Sequence, residues 1–289
     1  MEDKRLRSLY EEIIGIIGCG HLGRTLAEEL LARGFPKEHL LISYGGSAST
    51  LEGLKVAGLL ENISTNQGIC SRSSIIFIAL RPLYLNSLRA LSFPKEALVI
   101  SCMAGVSSAF LKKALGVDVV RIMPSGPDTI KAGSSIVAVY PPSDRVKKMI
   151  ISLGQAVYEI SDESMMHAFT VGVCLPAALL SAEKKGLPSA PSAKIIGQEY
   201  HDFEGIYEWA KGVLPNISSE EERESYIRRM KTKGGITEAI IDSLESGSTF
   251  LEALGRGMER SREISAMYER PSEEYRDSIA SKNLAIFAA

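Results

Sequence analysis

Three glycines near the start of the chain have the spacing of a dinucleotide-binding turn. The apolar run Ile13–Ile17 leads into Gly18, Gly20 and Gly23, and an amphipathic segment follows directly and stops at Gly34. In such a strand–turn–helix, the first glycine permits a tight turn, the second lets the backbone approach a pyrophosphate, and the third lets the helix pack on the strand. The helix N-terminus adds unpaired N–H groups and a positive dipole end. We therefore predict a dinucleotide cofactor here; the alternative is a glycine-rich turn without a ligand.

The residues predicted to hold this cofactor extend past the glycines. An apolar run at 40–43 predicts a second strand, whose end is where such folds read the adenosine ribose. Residues 43–47 contain neither Asp nor Glu, and because an acid would repel a 2′-phosphate, its absence favours NADP over NAD. Ser47, Ser49 and Thr50 could supply hydroxyl groups to a phosphate, and Ser43 is predicted with Ser47 to bind the cofactor; the alternative is a solvated serine-rich turn. The turn itself contributes Gly18, Cys19, Gly20, His21, Leu22 and Gly23.

A second glycine loop lies in the C-terminal half, at Lys231–Ala239. Gly234 and Gly235 precede Thr237 and a helical pattern, so the N–H groups of residues 234–237 could receive a carboxylate. Thr237 could either cap the helix or face outward. The alternative interpretation is an ordinary capped turn between two helices.

Composition excludes several classes of protein. The chain has 289 residues, 45% of them apolar and 24% charged, which is typical of a globular protein. A net charge of -2 gives no reason to expect nucleic acid or an anionic membrane as a partner. The four cysteines lie far apart without paired histidines, which argues against a metal site or disulfide framework and fits a reducing cytosol. No apolar run reaches the roughly 18 residues that span a bilayer. We expect a cytoplasmic protein without metal.

The predicted elements divide the chain into two parts. Further apolar runs predict buried parallel strands at 74–80, 97–101, 118–124 and 134–140, with a helix and a short strand in 145–159. Strands that alternate with helical segments predict an α/β fold, with an N-terminal Rossmann-like doubly wound sheet and a ligand beyond the carboxyl ends of its strands. From residue 163 onward the pattern is helical, ending in a helix at about 249–270. We predict a dinucleotide-binding domain at 1–161 and an all-α C-terminal substrate and dimerisation domain at 162–289.

Five motifs in order resemble those of one enzyme family, the pyrroline-5-carboxylate reductases. The family's G-x-G-x-M-G is similar to Gly18–Gly23, and its A-V-K-P is similar to Ala79–Pro82. Its S-x-x-A-G-[IV]-S is similar to Ser101–Ser107, its R-[VIM]-M-P-N-T-P to Arg121–Pro127, and its S-P-G-G-[TA]-T to Thr232–Thr237. The resemblance covers nearly the full length, and the chain is identified as a divergent member of this family.

The resemblance implies an NAD(P)H-dependent reduction of a cyclic imine, most directly 1-pyrroline-5-carboxylate to proline, and hence a role in proline biosynthesis. In the family, substrate and cofactor meet between the dinucleotide domain and the helices of a partner, so it implies a homodimer or a higher assembly. Thr237 matches the residue that hydrogen-bonds the imine nitrogen. The implied substrate-carboxylate residues are Thr232, Lys233, Gly234, Gly235 and Ile236, and the implied further cofactor residues are Ala79, Arg81, Pro82, Met103, Ala104 and Gly105. We also expect the helical half to expose large apolar faces that a second copy covers.

Departures from the family pattern leave three functions open. Gly172–Ala178 replaces the family's S-G-S-G-P-A-[YF] and makes this wall bulkier and more apolar, while Lys233 replaces a proline and brings a cation to the carboxylate site. Gly45 replaces a frequent arginine, which weakens the NADP interpretation, and Ser125-Gly126 replaces N-T. The Lys-Gly-Gly-[VI]-Thr variant also resembles reductase-related late-competence proteins. The chain could therefore be a reductase that makes proline, a reductase of another small imine or carboxylate-bearing substrate, or a non-catalytic nucleotide-binding regulator.

Overall fold

A single sheet organises the first half of the computed structural model, which describes residues 9–269. Its seven strands are β1 Ile14–Ile17, β2 Leu40–Ser43, β3 Ile75–Ile78, β4 Leu98–Ser101, β5 Val119–Pro124, β6 Ile136–Tyr140 and β7 Ala156–Glu159. Their order is β2-β1-β3-β4-β5-β6-β7. Each predicted strand is confirmed, with bounds that differ by about two residues at most. Strands β1 and β3–β6 are largely buried, which explains their continuous apolar runs.

The strand order places a crevice beside β1. Strand β1 pairs in parallel with β2 on one side and with β3 on the other. The chain therefore adds β2 on one side of β1 and then returns to add β3 and the later strands on the other side. Ligands of doubly wound sheets bind at such a switch point, beyond the carboxyl ends of the strands. The doubly wound fold is confirmed, and the glycine turn after β1 lies at this crevice.

The last two strands differ from the predicted parallel arrangement. Strand β6 runs antiparallel to β5, and β7 runs parallel to β6. The connection from Ser125 to Ser135 contains one short helix of five residues, Pro127–Lys131. A parallel crossover needs about a dozen residues or more and usually a full helix. The short connection therefore returns the chain as a hairpin.

Helices cover the sheet and form the second half. Those of the first half are α1 His21–Ala32, α2 Ala48–Val56, α3 Asn66–Arg72, α4 Leu85–Leu88, α5 Ser108–Leu115, α6 Pro127–Lys131 and α7 Asp144–Ser152. Those of the second half are α8 Met165–Val173, α9 Leu175–Lys184, α10 Ala190–Glu199, α11 Phe203–Gly212, α12 Glu220–Met230, α13 Ile236–Glu245 and α14 Phe250–Glu269. Helix α1 ends as predicted, with Gly34 in a left-handed conformation at φ 83°.

Separate apolar clusters stabilise the two halves. One cluster covers each face of the sheet, and a third is built from α8–α14 with Met123, Ile136 and Ala138 of the sheet. The helical half was expected to expose large apolar faces. Among its described residues, the large apolar side chains that are exposed are Ile195 and Met267. The apolar faces of these helices are instead buried against one another within one chain.

Polar contacts join the helical half to the sheet. Trp209 of α11 donates its indole N–H to the carbonyl of Ser134, at the turn before β6, over 2.7 Å. Glu163, just before α8, accepts the N–H of Ser108 at 2.8 Å and pairs with the buried Arg121 of β5. The contacts of Glu163 hold the start of α8 beside β4 and β5, and that of Trp209 holds α11 at the start of β6.

No single helix within 9–269 is long and apolar enough to cross a membrane. The pair α8 and α9 passes that test of length and composition together, but the two helices are bent by 57° at Cys174. Their side chains are mostly buried in the helical cluster.

Candidate functional site

The first glycine turn has the geometry that its sequence predicts. Gly18 has a left-handed φ of 95°, and a Cβ there would lie 2.5 Å from Leu80 Cδ2. A Cβ on Gly23 would lie 2.4 Å from the carbonyl oxygen of Gly18, so only glycine lets α1 approach the turn this closely. These two glycines are required by packing within the chain itself.

Gly20 differs from them because the space beside it is open. A Cβ on Gly20 would meet no atom within 4 Å. Gly20 is the N-cap of α1 and has no side-chain cap, so the N–H groups of His21 and Leu22 in the first turn have no i−4 partner within the helix. The residues present therefore fit a pyrophosphate that lies over Gly20 at the helix N-terminus. The side chain of Cys19 is buried, and the backbone N–H of Cys19 donates to the Ser43 carbonyl at 2.6 Å. Cys19 therefore supports the turn from the protein interior.

The two serines predicted at the end of β2 differ in orientation. Ser43 is buried; its hydroxyl donates to Asn66 Oδ1 at 2.5 Å and accepts the N–H of Gly18 at 3.3 Å. Ser43 thus braces the glycine turn with its side chain. Ser47 is exposed at the start of α2, and its hydroxyl lies 2.9 Å from that of Ser49. Ser47 therefore remains the serine whose hydroxyl faces solvent near the predicted ribose position.

Arg24 supplies a cation that the residues after β2 lack. Its guanidinium lies against Gly53 of α2: a Cβ on Gly53 would lie 1.7 Å from Arg24 Nη1. Its Nε lies 3.4 Å from Glu28, which also pairs with Lys131 at 2.8 Å. Sequence reasoning missed Arg24 because it sought an arginine directly after β2, whereas this one comes from α1. The glycine in the second turn of α2 is the signal that could have indicated it.

The remaining predicted cofactor residues lie at the carboxyl ends of β3 and β4. Ala79 continues the ladder through its N–H to Ile17, and Arg81 is exposed one residue before the turn that Pro82 begins. Met103 is buried, and its N–H donates a hydrogen bond to the Ser101 hydroxyl at 3.2 Å. Ala104 is half-buried beside it. Gly105 has a left-handed φ of 73°. All these residues edge the crevice that starts at Gly18.

The second glycine loop joins α12 to α13. Its Gly235 is the N-cap of α13 and its Gly234 has a φ of 71°. The N–H of Gly235 binds the Thr232 carbonyl at 2.7 Å, and the N–H of Gly234 binds a carboxylate oxygen of Glu238 at 2.6 Å. Two of the four N–H groups predicted to receive a carboxylate therefore already have partners. The N–H groups of Ile236 and Thr237 follow, in the first turn of the helix.

Around this loop, Thr232 and Lys233 are exposed. Arg260 of α14 fixes the loop from the other side, because its Nε and Nη2 donate to the Gly234 carbonyl at 2.9 and 2.7 Å. An open cleft of about 430 Å³ runs from the loop along the polar face of α13, lined by Glu238, Asp242, Arg256 and Arg260 among others. Two acids and two arginines give this cleft no strong charge of either sign.

Thr237 faces away from that cleft. Its hydroxyl neither caps α13 nor points to open solvent, but donates to Cys174 Sγ at 3.2 Å. Cys174 lies at the bend between α8 and α9, within the stretch that departs from the family pattern. Burial raises the pKa of the Cys174 thiol to about 11, with an opposing effect of the Thr237 hydroxyl bond, so the thiol keeps its proton at neutral pH. The fold thus brings together the two stretches that sequence reasoning identified separately.

Helix α14 contacts both the loop after β4 and the second glycine loop. A Cβ on Gly105 would lie 2.6 Å from Ile264 Cγ2 and 3.2 Å from the N atom of Ser265, so α14 packs directly on the loop after β4. Arg260, which holds Gly234, lies one turn earlier on the same helix. Among the hydrogen bonds and ion pairs within 9–269, none joins the two loops directly. They lie against one helix, a turn apart.

Comparison with known proteins agrees with this architecture. A family model described as "NADP oxidoreductase coenzyme F420-dependent" matches residues 13–105, which contain the glycine turn and the crevice. Pyrroline-5-carboxylate reductase of Escherichia coli (strain K12) is 29% identical over 282 residues, covering 88% of this chain and 99% of the relative.

Two solved structures have the same fold over most of the chain. The Coxiella burnetii pyrroline-5-carboxylate reductase is 20% identical with a TM-score of 0.54, and covers 88% of this chain and 98% of its own. The Plasmodium falciparum pyrroline carboxylate reductase, solved with NADP bound, is 23% identical with a TM-score of 0.54, and covers 89% and 99%. At these identities the likeness establishes the fold.

Proposed function

Because this chain is a divergent relative of the pyrroline-5-carboxylate reductases, we propose that it is an NAD(P)H-dependent oxidoreductase that reduces 1-pyrroline-5-carboxylate to proline. One observation carries the proposal: α14 holds the loop that leads to Thr237 and also packs on Gly105 at the crevice. A reducing cofactor and an imine held by these two loops would meet beside this helix.

The cofactor is proposed to lie over the first glycine turn. The N-terminus of α1 receives the pyrophosphate beside Gly20, while Ser47 and Arg24 face the adenosine end and favour NADP, with NAD possible. The nicotinamide end lies toward Ala79–Pro82 and Met103–Gly105. A reduced nicotinamide dinucleotide supplies the hydride when bound. The chain holds the imine carbon near it and excludes water, because a protonated imine needs little further activation.

The substrate is proposed to lie at the second glycine loop. The N–H groups of Ile236 and Thr237, aided by Thr232 and Lys233, hold the carboxylate at the start of α13. The N–H groups of Gly234 and Gly235 shape the loop through Glu238 and the Thr232 carbonyl, and displacement of Glu238 would free the Gly234 N–H for the substrate. The Thr237 hydroxyl forms a hydrogen bond with the imine nitrogen group. Reduction turns the protonated imine into a secondary amine, with the hydride on carbon and the proton retained on nitrogen.

A different small imine is the second candidate substrate, and the bend at Cys174 favours it. A Cβ on Gly172 would lie 2.6 Å from Ile206 Cγ2, so the family's serine does not fit here without movement of α11. The Ile206 side chain of α11 fills the space that a side chain at position 172 would occupy, and the wall near Thr237 is apolar. Such a wall fits a substrate with a less polar ring.

The discriminating experiment incubates the purified chain with NADPH or NADH and racemic 1-pyrroline-5-carboxylate. Oxidation of the dinucleotide that disappears in Thr237→Ala supports the proposal. Thr237→Ser, which keeps the hydroxyl, should retain most of that activity. Dinucleotide binding with turnover only on other cyclic imines would assign the second candidate. Binding without turnover on any imine would indicate the regulatory alternative. If neither dinucleotide raises the melting temperature, the cofactor assignment is wrong.

The proposal includes a homodimer in which a partner completes the site, and the domain division 1–161 and 162–289. The resemblance supports the dimer. The end of β7 at Glu159 and the start of α8 at Met165 support the division. Mixed dimers test the sharing of a site: Gly20→Ala, assayed at dinucleotide concentrations too low to saturate it, and Thr237→Ala regain part of the activity on mixing only if the first glycine turn and the second glycine loop act across the interface. A cytosolic location completes the proposal, supported by four free cysteine thiols.

A further inference from the structure

The contact between Thr237 and Cys174 belongs to a directed chain of hydrogen bonds. Thr237 lies in the first turn of α13, and its hydroxyl is 3.2 Å from Cys174 Sγ. The same sulfur lies 3.2 Å from the backbone carbonyl of Thr170. The thiol therefore bridges a side chain of the substrate loop and the last turn of α8.

The break between α8 and α9 makes this bridge possible. The N–H of Cys174 binds the Val171 carbonyl at 3.0 Å, so the Thr170 carbonyl does not receive it in the usual i→i−4 manner. Pro176 at the start of α9 has no N–H and helps to bend the chain by 57° here. The bend leaves one carbonyl free and turns Cys174 toward α13.

The proton order, meaning which group donates and which accepts in each of these hydrogen bonds, follows from the chemistry of the three groups. A backbone carbonyl only accepts hydrogen bonds, so the bond between Cys174 and Thr170 uses the thiol proton. The sulfur can then only accept from Thr237, and the Thr237 hydroxyl proton must point toward Cys174. The oxygen of Thr237 is left with its lone pairs for any ligand.

We propose that Cys174 is a positioning residue that fixes the Thr237 hydroxyl as a hydrogen-bond acceptor, so that the site selects a substrate presenting an N–H donor. This inference rests on the proposed function and narrows it to a substrate class. A protonated cyclic imine and a cyclic amine both present N–H to Thr237. A ketone or ether oxygen needs a donor in this place, and Thr237 has already given its proton to the sulfur.

Two variants at position 174 separate positioning from packing. In Cys174→Ser, the serine hydroxyl donates to Thr170 and accepts from Thr237, so the proton order is retained. In Cys174→Ala, the Thr237 hydroxyl loses its acceptor and can turn its proton toward the ligand. Cys70→Ala is the matched control, because Cys70 is a buried cysteine on α3, in an apolar cluster on the sheet that contains no residue of α8–α14.

The measurement compares two ring analogues that differ in one atom. Pyrrolidine-2-carboxylate presents N–H donors, whereas tetrahydrofuran-2-carboxylate presents only an acceptor oxygen at the same ring position. We measure the inhibition constant of each against reduction of 1-pyrroline-5-carboxylate, in wild type and in the three cysteine variants. The preference for the amine over the ether should fall by roughly threefold to tenfold in Cys174→Ala, which corresponds to one hydrogen bond. It should stay within about twofold of wild type in Cys174→Ser and Cys70→Ala.

Each outcome decides the matter. An unchanged preference in a folded, active Cys174→Ala variant overturns the inference and leaves the proposed function intact. A fall of the same size in Cys174→Ser also overturns it, because that variant keeps the proton order. If wild type reduces no cyclic imine at all, the proposed function fails and this inference fails with it. A fall confined to Cys174→Ala supports both.

Discussion

Arg121 and Glu163 form an ion pair of 2.5 Å between β5 and the residue that precedes α8 by two positions. The arginine is buried in the sheet, and the same carboxylate also receives the N–H and the hydroxyl of Ser108 at the start of α5. One acidic side chain thus fixes the helical half at the carboxyl ends of β4 and β5, beside the crevice.

Glu163→Gln should destabilise the chain because it leaves the Arg121 charge buried without its counter-ion. We expect a loss of roughly 2–4 kcal/mol in the free energy of unfolding by urea, at the low end of the range for buried pairs because the Glu163 side chain is 21% exposed. Glu159→Gln is the control: its partner Lys147 is a surface lysine, so loss of this ion pair should change stability much less than Glu163→Gln does. Equal losses in the two variants would contradict the role given to Glu163.

The two glycines of the first turn should separate cofactor affinity from stability. Gly20→Ala adds a methyl group to open space, so the melting temperature of the free chain should not fall. The methyl group would occupy the proposed pyrophosphate position, and we expect dinucleotide affinity to fall by about 1–3 kcal/mol, or roughly fivefold to 150-fold. Gly23→Ala should lower the melting temperature itself, because its Cβ would lie 2.4 Å from a carbonyl oxygen.

Gly212→Ala serves as a control for both variants, since its Cβ also meets nothing within 4 Å but lies on α11, away from the crevice. It should leave dinucleotide affinity unchanged and should not lower the melting temperature. Unchanged dinucleotide affinity in Gly20→Ala, measured by titration calorimetry, would exclude the pyrophosphate from this turn.

Arg24→Gln should weaken NADPH binding and leave NADH binding nearly unchanged. The guanidinium lies against Gly53 of α2. In the proposed cofactor site this is the adenosine end, where only NADPH carries a phosphate. Loss of one charged hydrogen bond is worth about 1.5–3 kcal/mol, so we expect the NADPH dissociation constant to rise at least roughly tenfold. Arg33→Gln, at the C-cap of the same helix and paired with Glu29, is the control. A proportional loss for both dinucleotides would argue that Arg24 only supports packing.

Much of the fold could be predicted from the sequence because buried strands appear as short continuous apolar runs. The direction of β6 could not be taken from such a run, since apolarity does not encode direction. The shortness of the connection between Ser125 and Ser135 was the available signal, and it indicates a hairpin.

Prediction of the candidate site was less complete. Glycine spacing indicated both loops, because the backbone conformations they need are local. The contact of Thr237 with Cys174 depends on the bend between α8 and α9 and joins residues 63 positions apart. The placement of Arg24 against α2 depends likewise on a distant glycine. Such pairings arise from tertiary packing and cannot be predicted from the order of the residues in the sequence.

Glu238→Ala should improve substrate binding. In the structure the Glu238 carboxylate takes the N–H of Gly234, at the loop proposed to receive the substrate carboxylate. The substitution frees the Gly234 N–H and removes a negative charge that competes with the substrate carboxylate. We therefore expect KM to fall by roughly twofold to tenfold, with kcat little changed.

Asp242→Ala removes another acid from the same cleft, but one that pairs with Lys231 at 2.7 Å. It should lower KM less than Glu238→Ala does, because it frees no loop N–H. A rise in KM for Glu238→Ala would show that the glutamate shapes the loop rather than competing for it.

Alkaline pH should destabilise the fold through its buried thiols. Burial raises the pKa of Cys70 to about 11 and that of Cys19 and Cys102 to about 12. An unfolded thiol titrates near about 8.5, so stability from these neutral thiols is complete below that pH and is lost as the pH rises toward the folded values. Urea unfolding in reductant should therefore show stability falling between about pH 9 and 10.

Cys70→Ala isolates the contribution of one thiol. The fall in stability over that interval should be smaller than in wild type by roughly 1 kcal/mol, the linkage expected for one group. Identical slopes in the two proteins would mean that Cys70 is not desolvated in solution.

The bond from Trp209 to the Ser134 carbonyl gives the chain a built-in optical reporter. Trp209 is the single tryptophan among 289 residues, and its half-buried indole spans the boundary between α11 and the hairpin that begins β6. Its fluorescence therefore comes from one place, where the helices dock on the sheet. A red shift that precedes the loss of circular dichroism would record the separation of the two halves before either half unfolds.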